Sequence, residues 1–355
     1  MEKTKEVRTV ANITAKDIAE KLGISTASVS VALNGKPGVS QATREKILAV
    51  AASMGYSLPK ASSGDSRLVC FLLYADPAVA VAQESSFSTF VLKGVEDTAK
   101  ELGYRVLIRY AYAGRDLAAQ LEDILDDLAG LLILGTDLTA ARRSQLASLP
   151  LPAVVVDNFL FSGYVDCVGN DNLFGAKSAV SYLIDRGHRS FGYLRARQRT
   201  ANFDDREAGV HLALQEHLPG AALTVVDVDI AADRAYEDLR RWLESQPDLP
   251  DALFAENDVV AAAAIRALRA AGIAVPQAVS VMGFDDIPIC ELVEPTLTTV
   301  HSFKETLGRE AVGLLHRRIT QGFSPAQVQA AGAIKLSLST RIVPRDSVAQ
   351  RPVHP

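Results

Sequence analysis

From Leu68 to Phe284 the sequence alternates short, almost unbroken apolar runs with longer amphipathic stretches, and it does so twice. The first series is LVCFLLY (68–74), VLIRY (106–110), GLLILG (130–135) and AVVVD (153–157), with amphipathic stretches near 88–102, 116–128 and 139–147. The second is SFGYLR (190–195), LTVVDVD (223–229), ALFA (252–255) and VSVMGF (280–284), separated by helical stretches near 172–186, 205–217, 232–245 and 258–271. A strand buried on both faces reads as a continuous apolar run, and parallel strands need crossovers, so the pattern predicts parallel sheets covered by helices on both faces. Two such series predict two lobes of Rossmann-like topology, with a ligand at the strand carboxyl ends between them.

The first 60 or so residues follow a different pattern. Thr14 has the character of an N-cap, with Asp17 three positions on to reach back to the cap amide. Ile18, Ala19 and Leu22 then form one apolar face and Gly23 closes the helix. Ser25 caps a second helix that turns Val29, Ala32 and Leu33 inward, and Asn34-Gly35 stops it; a third starts at Ser40 with Ile47, Val50 and Ala51 on its core face. Between the first two there is room only for a short turn containing Gly, the helix-turn-helix arrangement. The outward face of the second helix carries Thr26, Ala27, Ser30 and Val31, short side chains suited to lie against base edges in a major groove. Lys36, Ser40, Thr43 and Arg44 are placed to meet phosphates. On residues alone, a small helical bundle with no nucleic-acid role stays open.

Charge agrees with a polyanion partner for this head alone. Residues 1–67 hold ten Lys and Arg against six Asp and Glu, or +4, which leaves 27 against 36, or −9, for the rest of a chain whose net charge is −5. No apolar run approaches the roughly 20 residues of a membrane span, and the charged N-terminus has no apolar stretch behind it, so no membrane partner or secretory signal is expected. The three cysteines (Cys70, Cys167, Cys290) lie far apart in apolar stretches without metal-type spacing, as buried thiols of a reducing compartment do. These readings point to a cytoplasmic protein with no metal and no cofactor.

The string ITAKDIAEKLGISTASVSVALNGKPGVSQATREKILAVAASMGY closely resembles the DNA-binding domain of the lactose/galactose repressor (LacI-type) family. The shared pattern is Thr14-x-x-Asp17-Ile18-Ala19, Gly23-Ile24-Ser25, Val29-Ser30, Leu33-Asn34, Val39-Ser40, Thr43-Arg44 and Gly55-Tyr56. The resemblance implies a small all-α helix-turn-helix head on a two-lobed periplasmic-binding-protein-like α/β domain. It also implies a homodimer on an inverted-repeat DNA operator, and a small effector, a sugar or alternatively a purine or nucleoside. It places DNA contacts on Thr14, Ser25, Thr26, Ala27, Ser30, Val31, Asn34, Lys36, Ser40, Thr43 and Arg44. Effector contacts fall on Phe87 and Phe90 in SSFSTFVLKGVEDTAKELGY, Asp157 in VVVDN, Arg206 in DDREAGVHLAL, and Asn257 and Asp285 in AENDVVAAAAIRALRAAGIAVPQAVSVMGFDDI; Phe203 is a further aromatic candidate, as is Phe159.

The chemistry of that set is coherent: Arg206 offers a planar fork of donors, Asp157 and Asp285 paired acceptors, Asn257 both, and an aromatic ring stacks on a sugar's apolar face. Plainer readings remain beside it: Asp285 as a turn residue, Arg206 in a surface ion pair with Asp204 or Asp205, and His188 as a helix-end cap before a strand. The expected boundaries are a head at 1–58, a linker at 59–67, an effector domain at 68–345 and a tail at 346–355. The first lobe is expected at 68–165 and 297–325, the second at 168–294 and 326–343.

The sequence carries no nucleophile elbow, phosphate-cradling loop or His-Glu-x-x-His, so an enzyme is not expected; a stand-alone solute-binding protein is disfavoured by the head. Two departures from the family stand out. Val31 occupies a position often polar, which predicts apolar base contacts. In the linker SLPKASSGDSR (57–67) the proline is displaced by one, no Leu follows it to wedge into the minor groove, and the segment is about one helical turn short, so no hinge helix is expected. No heptads follow Arg341-Ile342, so no coiled-coil tetramer is expected.

Overall fold

The computed structural model describes residues 14–33, 38–54, 67–75, 86–139, 145–146, 149–159, 165–322 and 332–352. The chain divides into two compact units, Met1–Asp65 and Ser66–Pro355.

In the first unit, α1 (Ala15–Leu22), α2 (Thr26–Leu33) and α3 (Gln41–Ser53) form where the caps demand. Thr14 Oγ1 accepts the Asp17 amide at 3.4 Å, and the Asp17 carboxylate accepts the Thr14 amide at 2.6 Å, a reciprocal capping box. Gly23 ends α1 with φ 65°, a left-handed conformation that lets its amide return to Ala19 and Glu20. Two residues later Ser25 Oγ accepts the Ser28 amide at 3.1 Å and α2 begins. Ile18, Ala19, Val29, Ala32, Ile47 and Ala51 are buried together. The alanines keep the helices close, as the sequence requires of so small a core. The expected linker lies outside the described residues except Arg67.

In the second unit, β1 (Leu68–Ala75), β2 (Arg105–Tyr112), β3 (Gly130–Leu134), β4 (Ala153–Val156), β5 (Asp166–Asn170) and β11 (Lys335–Leu338) pair in parallel in the order β11-β5-β4-β3-β1-β2. The second-lobe sheet is β7-β6-β8-β9, from β6 (Phe191–Ala196), β7 (Leu223–Val228), β8 (Ala252–Ala255) and β9 (Ser280–Met282), again parallel. Helices α4 (Ser86–Glu101) and α10 (Lys304–Thr320) cover one face of the first sheet. Helices α5 (Asn172–Asp185) and α6 (Ala201–His217) cover one face of the second, and α7 (Ala232–Glu244) and α8 (Asp258–Ala270) the other; short α9 (Ile289–Leu292) follows β9.

Two helices approach to backbone contact. A methyl group on Gly94 of α4 would lie 2.0 Å from the Glu305 carbonyl oxygen, and one on Gly308 of α10 would lie 2.1 Å from that of Val91. Glycine is required there by space.

The structure corrects three expectations. Residues 116–128 do not form an α-helix: Leu117, Leu121 and Leu128 are buried at helical spacing, but i→i+3 bonds such as Ile124 to Leu121 tighten the chain, and only Leu125–Asp127 is regular, as a 3-10 turn. Gln120, bonded to both the amide and carbonyl of Tyr112, pins this segment to the β2 edge. Second, β11 belongs to the first-lobe sheet because it pairs with β5, whereas β10 (Thr299–His301) pairs antiparallel with β12 (Arg341–Val343) and bridges to Asp285 in the second lobe. Third, residues 344–352 pack on the second lobe: the Val281 amide donates to the Ser347 carbonyl, and the Ser347 hydroxyl donates to the Val281 carbonyl. The helical stretch near 139–147 lies largely outside the described residues.

Among the described residues the chain passes between lobes at β5 to α5, β10 to α10 and β11 to β12, all at one edge. No helix among them is long and apolar enough to cross a membrane.

Candidate functional site

Between the lobes lies a cavity of about 800 Å³ built from strand carboxyl ends on both sides. Asp157, just after β4, has φ 61° and enters it from the first lobe; Asp285, after β9, has φ 112° and enters from the second. Both positive values are costly for a non-glycine residue, and here they occur where side chains are turned into a cleft.

Arg206, near the start of α6, organises this space. The residue is 4% exposed; Nε donates to Asn172 Oδ1 at 2.9 Å, Nη1 to the Glu256 carbonyl, and Nη2 to Asp285 Oδ1 at 3.1 Å. The guanidinium also lies 3.7 Å from the Phe284 ring centroid. The expected alternative, a surface pair with Asp204, is replaced by Arg199, which takes Asp204 at 3.0 Å. Asn257 caps α8, its Oδ1 accepting the Val260 amide at 2.8 Å, so its amide nitrogen is the group left for the cavity.

The lobes touch directly. Asn202 Nδ2 donates to Asp157 Oδ2 at 2.8 Å and to the Asp157 carbonyl at 3.0 Å, and Thr136 donates to the same carboxylate at 2.9 Å. Burial pushes the Asp157 carboxyl up to about 7, against the pull of Arg206 and Thr136 and with the push of Asp285. Burial, then the charge of Asp285, raises Asp258 to about 7 as well; its oxygens accept Thr299 Oγ1 at 2.5 Å and the Ile287 amide at 3.0 Å, tying down the turn that carries Asp285. Burial also raises Asp285, with Arg206 and Lys304 opposing.

A pH prediction follows for Asp157. Between its ordinary 3.8 and about 7 the folded protein holds a proton that the unfolded chain has lost. Unfolding free energy therefore falls as pH rises through that window, by about 1.4 kcal/mol per pH unit for one such group, and levels off above it. Asp157→Asn should make this decline shallower by about 1.4 kcal/mol per pH unit in urea melts between about pH 5 and 7, leaving the share of Asp258 in place. An unchanged slope would mean that Asp157 is ionised throughout.

Behind the cavity, buried Glu256 accepts Tyr193 Oη at 2.5 Å, the Ala196 amide at 2.6 Å and Arg199 Nη1 at 2.6 Å. These bonds fasten the loop that brings Gln198 and Thr200 to the cavity wall.

On the head, Thr26, Ala27 and Ser30 of α2 are exposed together, and Val31 is half-buried. The hydroxyls of Thr14, Ser25 and Ser40 cap their helices. Thr43 and Arg44 are half-buried at the start of α3; Asn34 and Lys36 lie outside the described residues.

Comparisons decide what this pair of units is. Residues 14–58 match the family model for bacterial regulatory proteins of the lacI family, and residues 180–348 match a periplasmic binding protein-like domain. The ribose operon repressor of Escherichia coli (strain K12) is 30% identical over 319 residues, covering 87% of this chain and 93% of that protein. The chain belongs to the LacI family of bacterial regulatory proteins. Another relative, the HTH-type transcriptional repressor PurR of Photobacterium profundum, is 29% identical over 316 residues, covering 86% and 92%. The transcriptional regulator CelR in complex with cellobiose is similar in structure, with a TM-score of 0.67 at 26% identity over 94% of this chain and 99% of that one.

In this LacI-family, DNA-binding transcription regulator, six of the expected effector residues line the cavity: Phe87, Asp157, Phe203, Arg206, Asn257 and Asp285. Phe90 does not. One turn further along α4, it borders a separate concavity of about 420 Å³ with Lys304, whose ammonium lies 5.9 Å from its ring centroid. Phe159 packs against Gly169 and Lys335 instead of the cavity. His188 is structural as expected, its ring nitrogens bonding the Leu183 carbonyl and Ser280 Oγ, each at 2.9 Å. Sequence reasoning missed Thr136, Asn202, Gln198, Tyr110 and Tyr112 as wall residues. The strand-end rule, applied to every strand, would have found Thr136, Tyr112 and Gln198.

Proposed function

We propose that this regulator is a dimeric, cytoplasmic repressor of carbohydrate-related genes whose operator affinity changes when a sugar binds between the lobes. The observation that carries the sugar reading is the fork of Arg206 held against Asp285, with Asp157 entering from the opposite lobe and amide donors between them. Vicinal hydroxyls are bound by such paired carboxylates and planar donors, and Phe87 and Phe203 supply aromatic faces. The names of two similar proteins, a ribose operon repressor and a regulator bound to cellobiose, agree with it. Because the ligand contacts both lobes, it favours one lobe arrangement over others, which is the differential affinity any switch requires.

For DNA, α2 is the helix that enters the major groove, with Thr26, Ala27, Ser30 and Val31 at base edges. Thr14, Ser25, Asn34, Lys36, Ser40, Thr43 and Arg44 meet phosphates or flank them. A single small head binds weakly, so two heads on two half-sites are expected.

Selection of bound fragments from genomic DNA tests this reading and should return an inverted repeat. On that operator, Asp285→Ala should abolish the response to sugar while the protein still binds DNA. Binding with no preference over random DNA at moderate salt would sink the regulator assignment. A response to purines or nucleosides but to no sugar would replace the effector class.

A further inference from the structure

We propose that the cavity takes a ligand two sugar rings long, the first ring held by the charged groups at the hinge edge and the second stacked on Tyr110 and Tyr112 at the open edge. This rests on the sugar reading above and deepens it.

The argument starts from strand order. All three chain crossings leave from one side: β5 and β11 form that edge of the first-lobe sheet, and β9, bridged to residues 298–301, forms it in the second. The edge strands farthest from the hinge are β2 and β7. Counting outward from the hinge, the first lobe gives the cavity Asp157 after β4, Thr136 after β3, Tyr74 on β1, and Tyr110 and Tyr112 on β2. The second gives Asp285 after β9, Asn257 after β8, Gln198 after β6 and Ile230 after β7. Both walls therefore extend over three strand spacings, or about 14 Å at roughly 4.8 Å per spacing. One sugar ring with its hydroxyls covers one spacing and part of a second. Two rings in line fill the run, and a volume of about 800 Å³ accommodates them.

The walls also change character along that run. Arg206, Asp157, Asp285 and Asn202 concentrate charge and amide groups at the hinge edge. At the other edge the cavity is lined by two tyrosines, an isoleucine and a glutamine, while Asp229, the carboxylate that follows β7, pairs with Arg234 at 2.7 Å and is not among the lining residues. Tyr110 and Tyr112 are two residues apart on a strand, so they share one face, and Tyr110 is 60% exposed. A row of phenol rings with polar tips grips the apolar face of a sugar and still tolerates its hydroxyls. Charge at one end and stacking at the other suit a first ring read by its hydroxyls and a second held by its face.

Calorimetric titration of the full-length protein tests this with glucose and ribose against cellobiose, maltose, sucrose and trehalose. At least one disaccharide is expected to bind about tenfold or more tightly than either monosaccharide. The Tyr110→Ala/Tyr112→Ala protein is expected to lose most of that preference, because its disaccharide affinity falls by about tenfold more than its monosaccharide affinity. A monosaccharide bound as tightly as every disaccharide overturns the two-ring proposal and leaves the sugar reading standing, as does a double variant that keeps the full preference. Binding of no sugar at all by the parent protein overturns both.

Discussion

Arg206→Ala is expected to weaken sugar binding by at least about a hundredfold, because it removes the planar fork of donors and leaves Lys304 alone to oppose the burial of the Asp285 carboxyl. The guanidinium of Arg206 serves three acceptors at once, on Asn172, Glu256 and Asp285, and lies against Phe284. Without it the mutual repulsion of Asp285 with Asp157 and Asp258 is less opposed, and the Asp285 carboxyl, already raised by burial, is driven further toward the protonated form. A protonated Asp285 donates where a sugar hydroxyl needs an acceptor. Arg206→Lys keeps a charge but not the fork, so it should fall between the two. Calorimetry reads the affinity, and a thermal melt of the same sample separates a lost site from a lost fold. If Arg206→Ala binds sugar within about threefold of the parent, Arg206 does not organise the site.

The second large effect is on stability. Arg318 of α10 and Asp166 of β5 are 4% and 1% exposed and meet through two bonds, Nε to Oδ2 at 2.7 Å and Nη2 to Oδ1 at 2.8 Å. Asp166 Oδ1 also accepts the Ile334 amide at 2.7 Å, just before β11. The pair thus joins a helix, an inner strand and the last strand of the first-lobe sheet. Arg318→Met fills much of the volume but strands the carboxylate, for an expected loss of about 3–5 kcal/mol in urea unfolding. Adding Asp166→Asn removes the stranded charge and should recover part of that loss, which a double-mutant cycle would measure as coupling. A single variant within about 1 kcal/mol of the parent would show that water or a shifted side chain satisfies Asp166.

The residues that were legible in the sequence are those whose signal is local. Thr14, Asp17, Gly23 and Ser25 specify caps through neighbours three or four residues away, and the structure has those caps as read. Apolar runs likewise declared β1, β3, β4, β6, β8 and β9, since burial on both faces leaves no polar alternation, and the half-exposed edge strands β2 and β7 kept enough apolar residues to be read with them. β11 failed because KLSL alternates and is only half-buried, so nothing in its own residues says which sheet it joins; that is decided by β5, more than 160 positions earlier. Residues 116–128 failed for another reason. Burying leucines at spacings of four and seven satisfies a 3-10 turn as well as a helix, and Gln120 chose between them by bonding to β2. At the site, Arg206 and Asp157 were named from their places in stretches that resemble the family, while their residues alone left Arg206 open as a surface ion pair. Tyr110 and Asn202 could not be named, since tyrosine on an edge strand and asparagine near a helix start are ordinary anywhere.

The pairing of β11 with β5 has a consequence for the order in which the protein is made. A nascent chain releases the head first, and domains generally fold as they emerge. The first-lobe sheet cannot close at that edge when its own five strands have left the ribosome. It waits for the whole second lobe and then for Lys335–Leu338. A polypeptide stalled or cleaved anywhere between Asn172 and Ile334 carries the complete sequence of the DNA-binding head behind a sensor that lacks its final strand. In translation, the part that occupies the operator precedes the part that answers to the effector.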